Sequence, residues 1–210
     1  MQTLAERTAE AQAPAYGPAG EPQPRRHPIT VQEYFRMGET GVLAPDARIE
    51  LLEGEIIDMT PIGPPHASLV TRINRLLERA VEDAALVSPQ NPITLGERSA
   101  PQPDIALLRP RDDFYASAHP GPADILLLVE VADSSLAYDR DEKLPVYARF
   151  RIPEVWIIDI RGGHLDIHRD PDGERYTTQW RASDLSGIGI AELPDIRMDL
   201  GTLFDVPRDR

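Results

Sequence analysis

The chain has 210 residues, 41% of them hydrophobic and 27% charged, with a formal net charge of −13 and no cysteine. That length supports one ordinary domain with a packed core; the missing cysteines exclude a disulfide scaffold, a thiolate nucleophile and a thiolate zinc site, and the acidity argues against gripping nucleic acid by bulk charge, leaving a local basic patch or bound cations for that purpose. The longest apolar run, Ile125–Val129, falls far short of the ~20 residues of a membrane span, and Met1–Glu6 lacks a secretory signal's basic start and apolar stretch, so the expectation is a cytoplasmic protein without a membrane partner.

Residues 1–27 read as a disordered Pro/Ala-rich tail, with Tyr16 the only large apolar side chain between Ala9 and Pro24; such a segment buries too little surface to offset its ordering entropy. A single domain is expected over residues 28–210. Thr30-Val31-Gln32-Glu33 spells a capping box and predicts a short helix to about Met37. Arg48–Asp58 reads as a β-hairpin turning at Glu53-Gly54, followed by a Pro/Gly loop over Thr60–Pro65. From His66 to about Ala84, Leu69, Val70, Ile73, Leu76, Leu77, Ala80 and Val81 recur at helical spacing. Arg72, Arg75 and Arg79 share the opposite side as a solvated row.

The chain then turns mainly to strands. Ile93–Leu95 is a short one, and Asp104–Leu108 is another, entered through Pro101-Gln102-Pro103. Asp124–Ala132 is continuously apolar up to Glu130, as expected of a central strand covered on both faces. A helix is expected from about Asp141 to Phe150, with Pro145 in its first turn. Val155–Ile160, His164–Arg169 and Arg175–Trp180 are strands separated by Gly-containing turns, and the remainder to Phe204 carries no clear pattern. The result is an α+β domain, a mixed β-sheet flanked by helices.

Three residues carry the chemistry. Glu130 follows five apolar residues in a strand that reads as buried, where an ionised carboxylate is costly unless paired or metal-bound; the plainer reading places it at the strand's end in solvent. Asp104 opens its strand beside Pro103, where turn aspartates are common. The two strands bring these carboxylates to one sheet edge if they pair antiparallel. The 22 basic residues comprise 21 arginines and a single lysine, Lys143, thirteen positions after Glu130. Where only a solvated charge is needed this chain supplies arginine, so a lone lysine points to a site needing a compact ammonium. Two carboxylates and an ammonium suit a hard cation such as magnesium or manganese. Such an ion polarises a phosphodiester and acidifies bound water, while the ammonium orients that water or stabilises transition-state charge.

Pro103-Asp104, Glu130-Val131-Ala132 and the downstream Lys143 resemble the PD-(D/E)XK nuclease superfamily, with Ala132 standing where the usual lysine lies and Lys143 placed on the following helix, as in some branches. More closely, the chain is similar to the Uma family of restriction-endonuclease-like proteins from about Ile29 to Phe204. The resemblance rests on Ile29–Tyr34, Arg48–Glu55, His66, Gln102–Ile105, Leu128–Val131, Asp139–Ala148 and Ile152–Asp159. It implies a restriction-endonuclease-like core with an added N-terminal β-hairpin, and magnesium or manganese held by Asp104 and Glu130. It implies Lys143 as a catalytic residue and nominates Glu50 as a further acid, although Glu50 alternates with Ile49 and Leu51 and reads on its own as an exposed strand acid. It implies DNA phosphodiester hydrolysis and a homodimer that cuts two strands. Arg151 stands where the family often has glycine, and Val155 where it often has tyrosine. An inactive binding module on the same fold and a hydrolase of a smaller phosphate ester remain open alternatives.

Other signals read as structural. His164 and His168 share a strand face without a third zinc ligand. His66 caps or packs its helix. Ser134 or Ser135 caps a turn, there being no Gly-x-Ser-x-Gly elbow. Trp156 and Trp180 have the apolar neighbours of core residues.

Overall fold

The computed structural model describes residues 25–205. The tail expected over residues 1–27 therefore lies outside the described residues except for Arg25, Arg26 and His27. Helix α1 (Val31–Glu39) starts at the predicted capping box, with both reciprocal bonds between Thr30 and Glu33 present. Strands β1 (Ile49–Leu52) and β2 (Glu55–Asp58) form a separate two-stranded antiparallel sheet, in which Leu52 pairs with Glu55. Their two-residue link has Glu53 at φ 51° and Gly54 at φ 86°, a tight turn whose twist matches the strands. A Cβ on Gly54 would meet Pro28 Cβ at 2.6 Å, so the chain entering α1 requires glycine there.

Helix α2 (Pro64–Val81) begins on prolines whose missing N–H groups cost nothing in a first turn. It is followed by a short 3-10 turn, Glu82–Ala84. The main sheet has six strands in the order β3-β4-β5-β6-β7-β8: β3 (Leu86–Pro89), β4 (Ile105–Leu108), β5 (Ile125–Ala132), β6 (Glu154–Asp159), β7 (His164–Asp172) and β8 (Arg175–Arg181). All neighbours are antiparallel except β5 and β6, whose parallel pairing requires the helical crossover between them. Every residue of β5 is buried. Leu127, Val129 and Val131 pack with Leu69, Ile73 and Leu77 of α2, while Leu128 and Ala132 pack with Val146, Tyr147 and Ala148 on the other face. A last hairpin, β9 (Ile188–Ile190) with β10 (Leu193–Met198), closes over the α2 side, with Ile188, Ile190 and Met198 in that core. No helix among the described residues is long and apolar enough to cross a membrane.

Several expectations are corrected. Ile93–Leu95 forms no strand beyond a single bridge from Leu95 to Ser99. Trp156 is fully buried, but Trp180 is 38% exposed at the sheet edge. Arg72 does not belong to a solvated row: its guanidinium donates to the carbonyls of Thr202 and Asp205 and ties α2 to the end of the domain. The crossover helix starts earlier than predicted, as α3 (Leu136–Tyr138), continues through a π turn (Asp139–Lys143) and ends as α4 (Leu144–Arg149). Pro145 thus sits inside a helical segment. Its ring would crowd the carbonyl four residues back in a regular α-helix, and the wider π turn just before it, where the Leu144 N–H reaches the Asp139 carbonyl, accommodates it.

Helix α4 stops in a Schellman arrangement: the Arg151 N–H donates to the Ala148 carbonyl, and the buried Ile152's N–H to that of Tyr147. The motif puts Arg151 at φ 58°, a left-handed conformation that strains any side chain bearing a Cβ. Arg151→Gly is expected to raise stability by about 0.5–1 kcal/mol, read as a higher urea midpoint with an unchanged slope. A lower midpoint would show that the arginine side chain contributes more than its backbone strain costs.

Candidate functional site

The antiparallel register of β4 and β5 pairs Ile105 with Val129, which brings Asp104 beside the Glu130 end of β5. The Val131 N–H donates to Asp104 Oδ2 at 2.9 Å, fastening one predicted carboxylate to the backbone next to the other. Glu130 alternates with Leu127, Val129 and Val131, so it shares the face of Leu128 and Ala132 that is covered by the crossover helix. Lys143 projects from the π turn of that helix onto it. Its Nζ lies 2.7 Å from Glu130 Oε1 and 3.6 Å from Glu50 Oε2. Glu50, Glu130 and Lys143 are 0%, 3% and 2% exposed. The reading of Glu50 as an exposed strand acid is thereby overturned: all of β1 is buried, and Glu50 turns into the domain.

Each carboxylate is held by further donors. Tyr147, one turn along from Lys143, donates its hydroxyl to Glu130 Oε1 at 2.6 Å. Tyr138 donates to Glu50 Oε1 at 2.9 Å, and the Gln102 N–H to Glu50 Oε2 at 2.8 Å. His66 Nε2 lies 3.1 Å from Asp104 Oδ2, and Gln90 Nε2 donates to Oδ1 at 3.3 Å. Ser135 donates to the buried Asp139 at 2.7 Å, which makes it a fastener of that turn and not a nucleophile. His66 is therefore part of the site, where its position alone suggested helix packing. The four-residue spacing of Lys143 and Tyr147 was a readable signal for Tyr147. Tyr138 carried none, because five residues share a face only across a π turn.

Glu50, His66, Asp104, Glu130, Asp139 and Lys143 line one cavity of about 280 Å³, with Arg48 and the Met59–Gly63 segment at its wall. Its electrostatics are lopsided. Burial pushes the Glu130 carboxyl up to about 8; Lys143 pulls it down, while Asp139 and Asp104 push it further up. The Lys143 ammonium is held well above its ordinary range by Glu130, Glu50 and Asp139 despite its burial. The His66 imidazole is raised by its bond to Asp104. Carboxylates thus outnumber cationic groups inside a cavity of oxygen donors, which is the donor chemistry of a hard divalent cation. Among the described residues no three His, Asp or Glu side chains form a group that could hold a metal ion. Asp104 and Glu130 are the two carboxylates here that would hold such an ion, with water supplying the remaining ligands, a set of the kind magnesium accepts.

A family described as "Uma2: Putative restriction endonuclease" matches residues 31–198. Among solved structures, the chain is similar to a protein from Anabaena variabilis ATCC 29413 described as a "putative nuclease belonging to DUF820", with a TM-score of 0.66, 15% identity, and coverage of 85% of this chain and 98% of that one. At that identity the likeness is one of fold: the mixed sheet and its flanking helices. No curated protein matches the sequence.

Lys143→Met tests the buried charges directly. A carboxyl whose folded pKa lies above its unfolded value of 4.5 contributes most stability below that value and loses it as pH rises through the folded one. Without the ammonium, Glu130 rises further. The variant is expected to lose about 3–5 kcal/mol at pH 9.5, where the wild type ionises Glu130 beside the ammonium and the variant has no such partner, and distinctly less at pH 6, where both proteins hold the carboxyl protonated. Urea unfolding at both pH values measures this, and an equal deficit at the two would contradict it.

Proposed function

We propose that this chain, which belongs to the Uma2 family, is a metal-dependent nuclease that hydrolyses phosphodiester bonds in DNA. The observation that carries the reading is the placement of the sole lysine: a buried ammonium 2.7 Å from Glu130, in the same cavity as Asp104 and Glu50. The fold shared with the protein described as a "putative nuclease belonging to DUF820" supports it. Asp104 and Glu130 would hold magnesium or manganese, with Glu50 assisting. When bound, the ion would supply Lewis-acid polarisation of the phosphodiester and lower the pKa of water in its shell.

The protein's own groups then have distinct parts. Asp104 is oriented by the Val131 N–H and His66, so it presents its carboxylate without rearranging. Tyr147 keeps Glu130 in place when Lys143 turns toward substrate. Lys143, its ammonium 2.7 Å from Glu130, would orient the attacking water and stabilise charge developing on the phosphoryl oxygens. Its compactness matters. A guanidinium is larger and planar, so it cannot set a compact point charge at the 2.7 Å contact with Glu130.

A second reading has its own observation. The net charge of −13 repels a polyanion over most of the surface, whereas a small phosphodiester entering the cavity would not feel that repulsion.

The test is cleavage of plasmid and single-stranded DNA with magnesium or manganese against EDTA. Asp104→Asn, Lys143→Ala and Lys143→Arg are each expected to lose at least ~100-fold in rate, and Tyr147→Phe about tenfold. Full activity in Lys143→Arg would contradict the compact-ammonium role. Turnover of a chromogenic phosphodiester without any nicking of DNA would select the smaller substrate. A folded wild type that turns over neither, with either metal, would overturn the hydrolytic reading.

A further inference from the structure

The other side of the crossover helix carries a second polar cavity, of about 400 Å³, reached by Arg140, Asp166, His168, Gln179, Trp180 and Arg181. Along β7, Leu165 and Ile167 enter the core beneath α2. Asp166 and His168 alternate with them and point to the opposite face. Gln179 and Arg181 of β8 pair with His168 and Asp166 and complete that face. Arg140 reaches it from the π turn.

Two features make this more than a surface dent. First, His168 is 7% exposed, and neither of its ring nitrogens has a partner among the described residues. A neutral imidazole carries one N–H donor and one acceptor, and a charged one carries two donors. In every form at least one buried N–H is left without a partner at the wall of the cavity. Its nearest aromatic neighbour, Tyr176, packs tilted against it at 6.1 Å and spends its hydroxyl on the Ile152 carbonyl. Second, the charge here reverses the sign of the whole molecule. Asp166 accepts from Arg140 at 2.6 Å and from Arg181 at 2.9 and 3.3 Å. One carboxylate is thus set against two guanidiniums, each with five N–H donors in a fixed fork. One donor of Arg140 and two of Arg181 go to Asp166, and the others are left to serve a further acceptor.

We propose that this cavity is a binding site for a phosphate group. Two guanidiniums, a buried imidazole N–H and the Gln179 amide offer donors from several directions to a tetrahedral oxyanion, which is the chemistry that recognises phosphate. Trp180 borders the cavity from β8 but pairs with Ile167, and its ring lies with the Arg169 guanidinium, 5.0 Å away, on the other face of the sheet, so the donors alone define the ligand. The phosphate belongs either to a free mononucleotide or to a nucleic-acid strand. Arg140 lies in the same π turn as Asp139 and Lys143, so an occupied site touches the turn that carries the buried ammonium. The assignment does not rest on the hydrolytic reading, since it concerns binding at a separate cavity.

The test follows histidine ring resonances by NMR, in EDTA at constant ionic strength. Inorganic phosphate, thymidine monophosphate and a short single-stranded oligonucleotide are titrated in turn. Phosphate is expected to shift the His168 ring signals saturably, with half-saturation in the millimolar range (about −4 kcal/mol). Arg181→Gln, which alters a largely exposed side chain, is expected to weaken binding about tenfold, and His168→Phe to weaken it comparably with the fold retained. Asp104→Asn is expected to bind phosphate as the wild type does, which places binding outside the first cavity. Tighter binding of the mononucleotide than of phosphate would identify a nucleotide as the source, and tighter binding of the oligonucleotide a strand. No saturable shift with any of the three probes, or equal binding by Arg181→Gln, would overturn the proposal.

Discussion

The centre of this structure is an ammonium held almost out of water between two acids. Lys143 is 2% exposed, with Glu130 at 2.7 Å and Glu50 at 3.6 Å. Removing such groups from water costs more than their mutual attraction commonly returns, so the arrangement survives only with further hydrogen bonds. Tyr147 supplies one to Glu130, and Tyr138 and the Gln102 N–H supply two to Glu50. An apolar side chain at position 143 with neutral partners would pack more cheaply. That the expensive arrangement is built, and built open to a cavity, is what marks this region of the fold as the candidate site.

Three separate stretches of chain have to cooperate to build it. The antiparallel pairing of β4 with β5 sets Asp104 beside Glu130. The parallel pairing of β5 with β6 forces the chain across the sheet face, and that crossover carries Lys143 and Tyr147 back over Glu130. The N-terminal hairpin joins neither step. It bridges to the main chain through Leu51 and Ala100 and delivers Glu50 from outside the six-stranded sheet. The π turn is the adjustment that makes these parts meet: it admits Pro145 to the helix and brings Tyr138 and Lys143 to the same acid.

The same turn faces two ways. Asp139 and Lys143 line the acidic cavity, and Arg140 lines the basic one behind it. In a chain of net charge −13, most of the described arginines lie at the surface, whereas Lys143 is buried, where low dielectric makes its charge count for more. Arg72, by contrast, is spent on the backbone of the chain's end. Its place in a regular row on α2 says nothing of this, because the partner carbonyls lie 130 residues away in sequence.

Local chemistry was legible in the sequence. The capping box, the Glu53-Gly54 turn, the apolar period of α2 and the unbroken apolar run of β5 each follow from neighbours a few residues apart, and each stands where it was expected. Asp104, Glu130 and the lone Lys143 were legible as well, since a carboxylate at either end of an apolar strand and a single lysine among arginines are costs or oddities visible without a fold. Long-range partners were not legible. That Glu50 is fully buried, that His66 touches Asp104, that Tyr138 serves Glu50 and that Trp180 lies at an edge all depend on which strands become neighbours. The β9–β10 hairpin escaped because its alternation is short and interrupted by a register shift. By itself, then, the sequence determined the elements and the residues able to bear chemistry, because backbone preference and the cost of burying charge act locally. Tertiary structure alone decided which of those residues share a cavity, because that is set by strand order and by one widened helical turn.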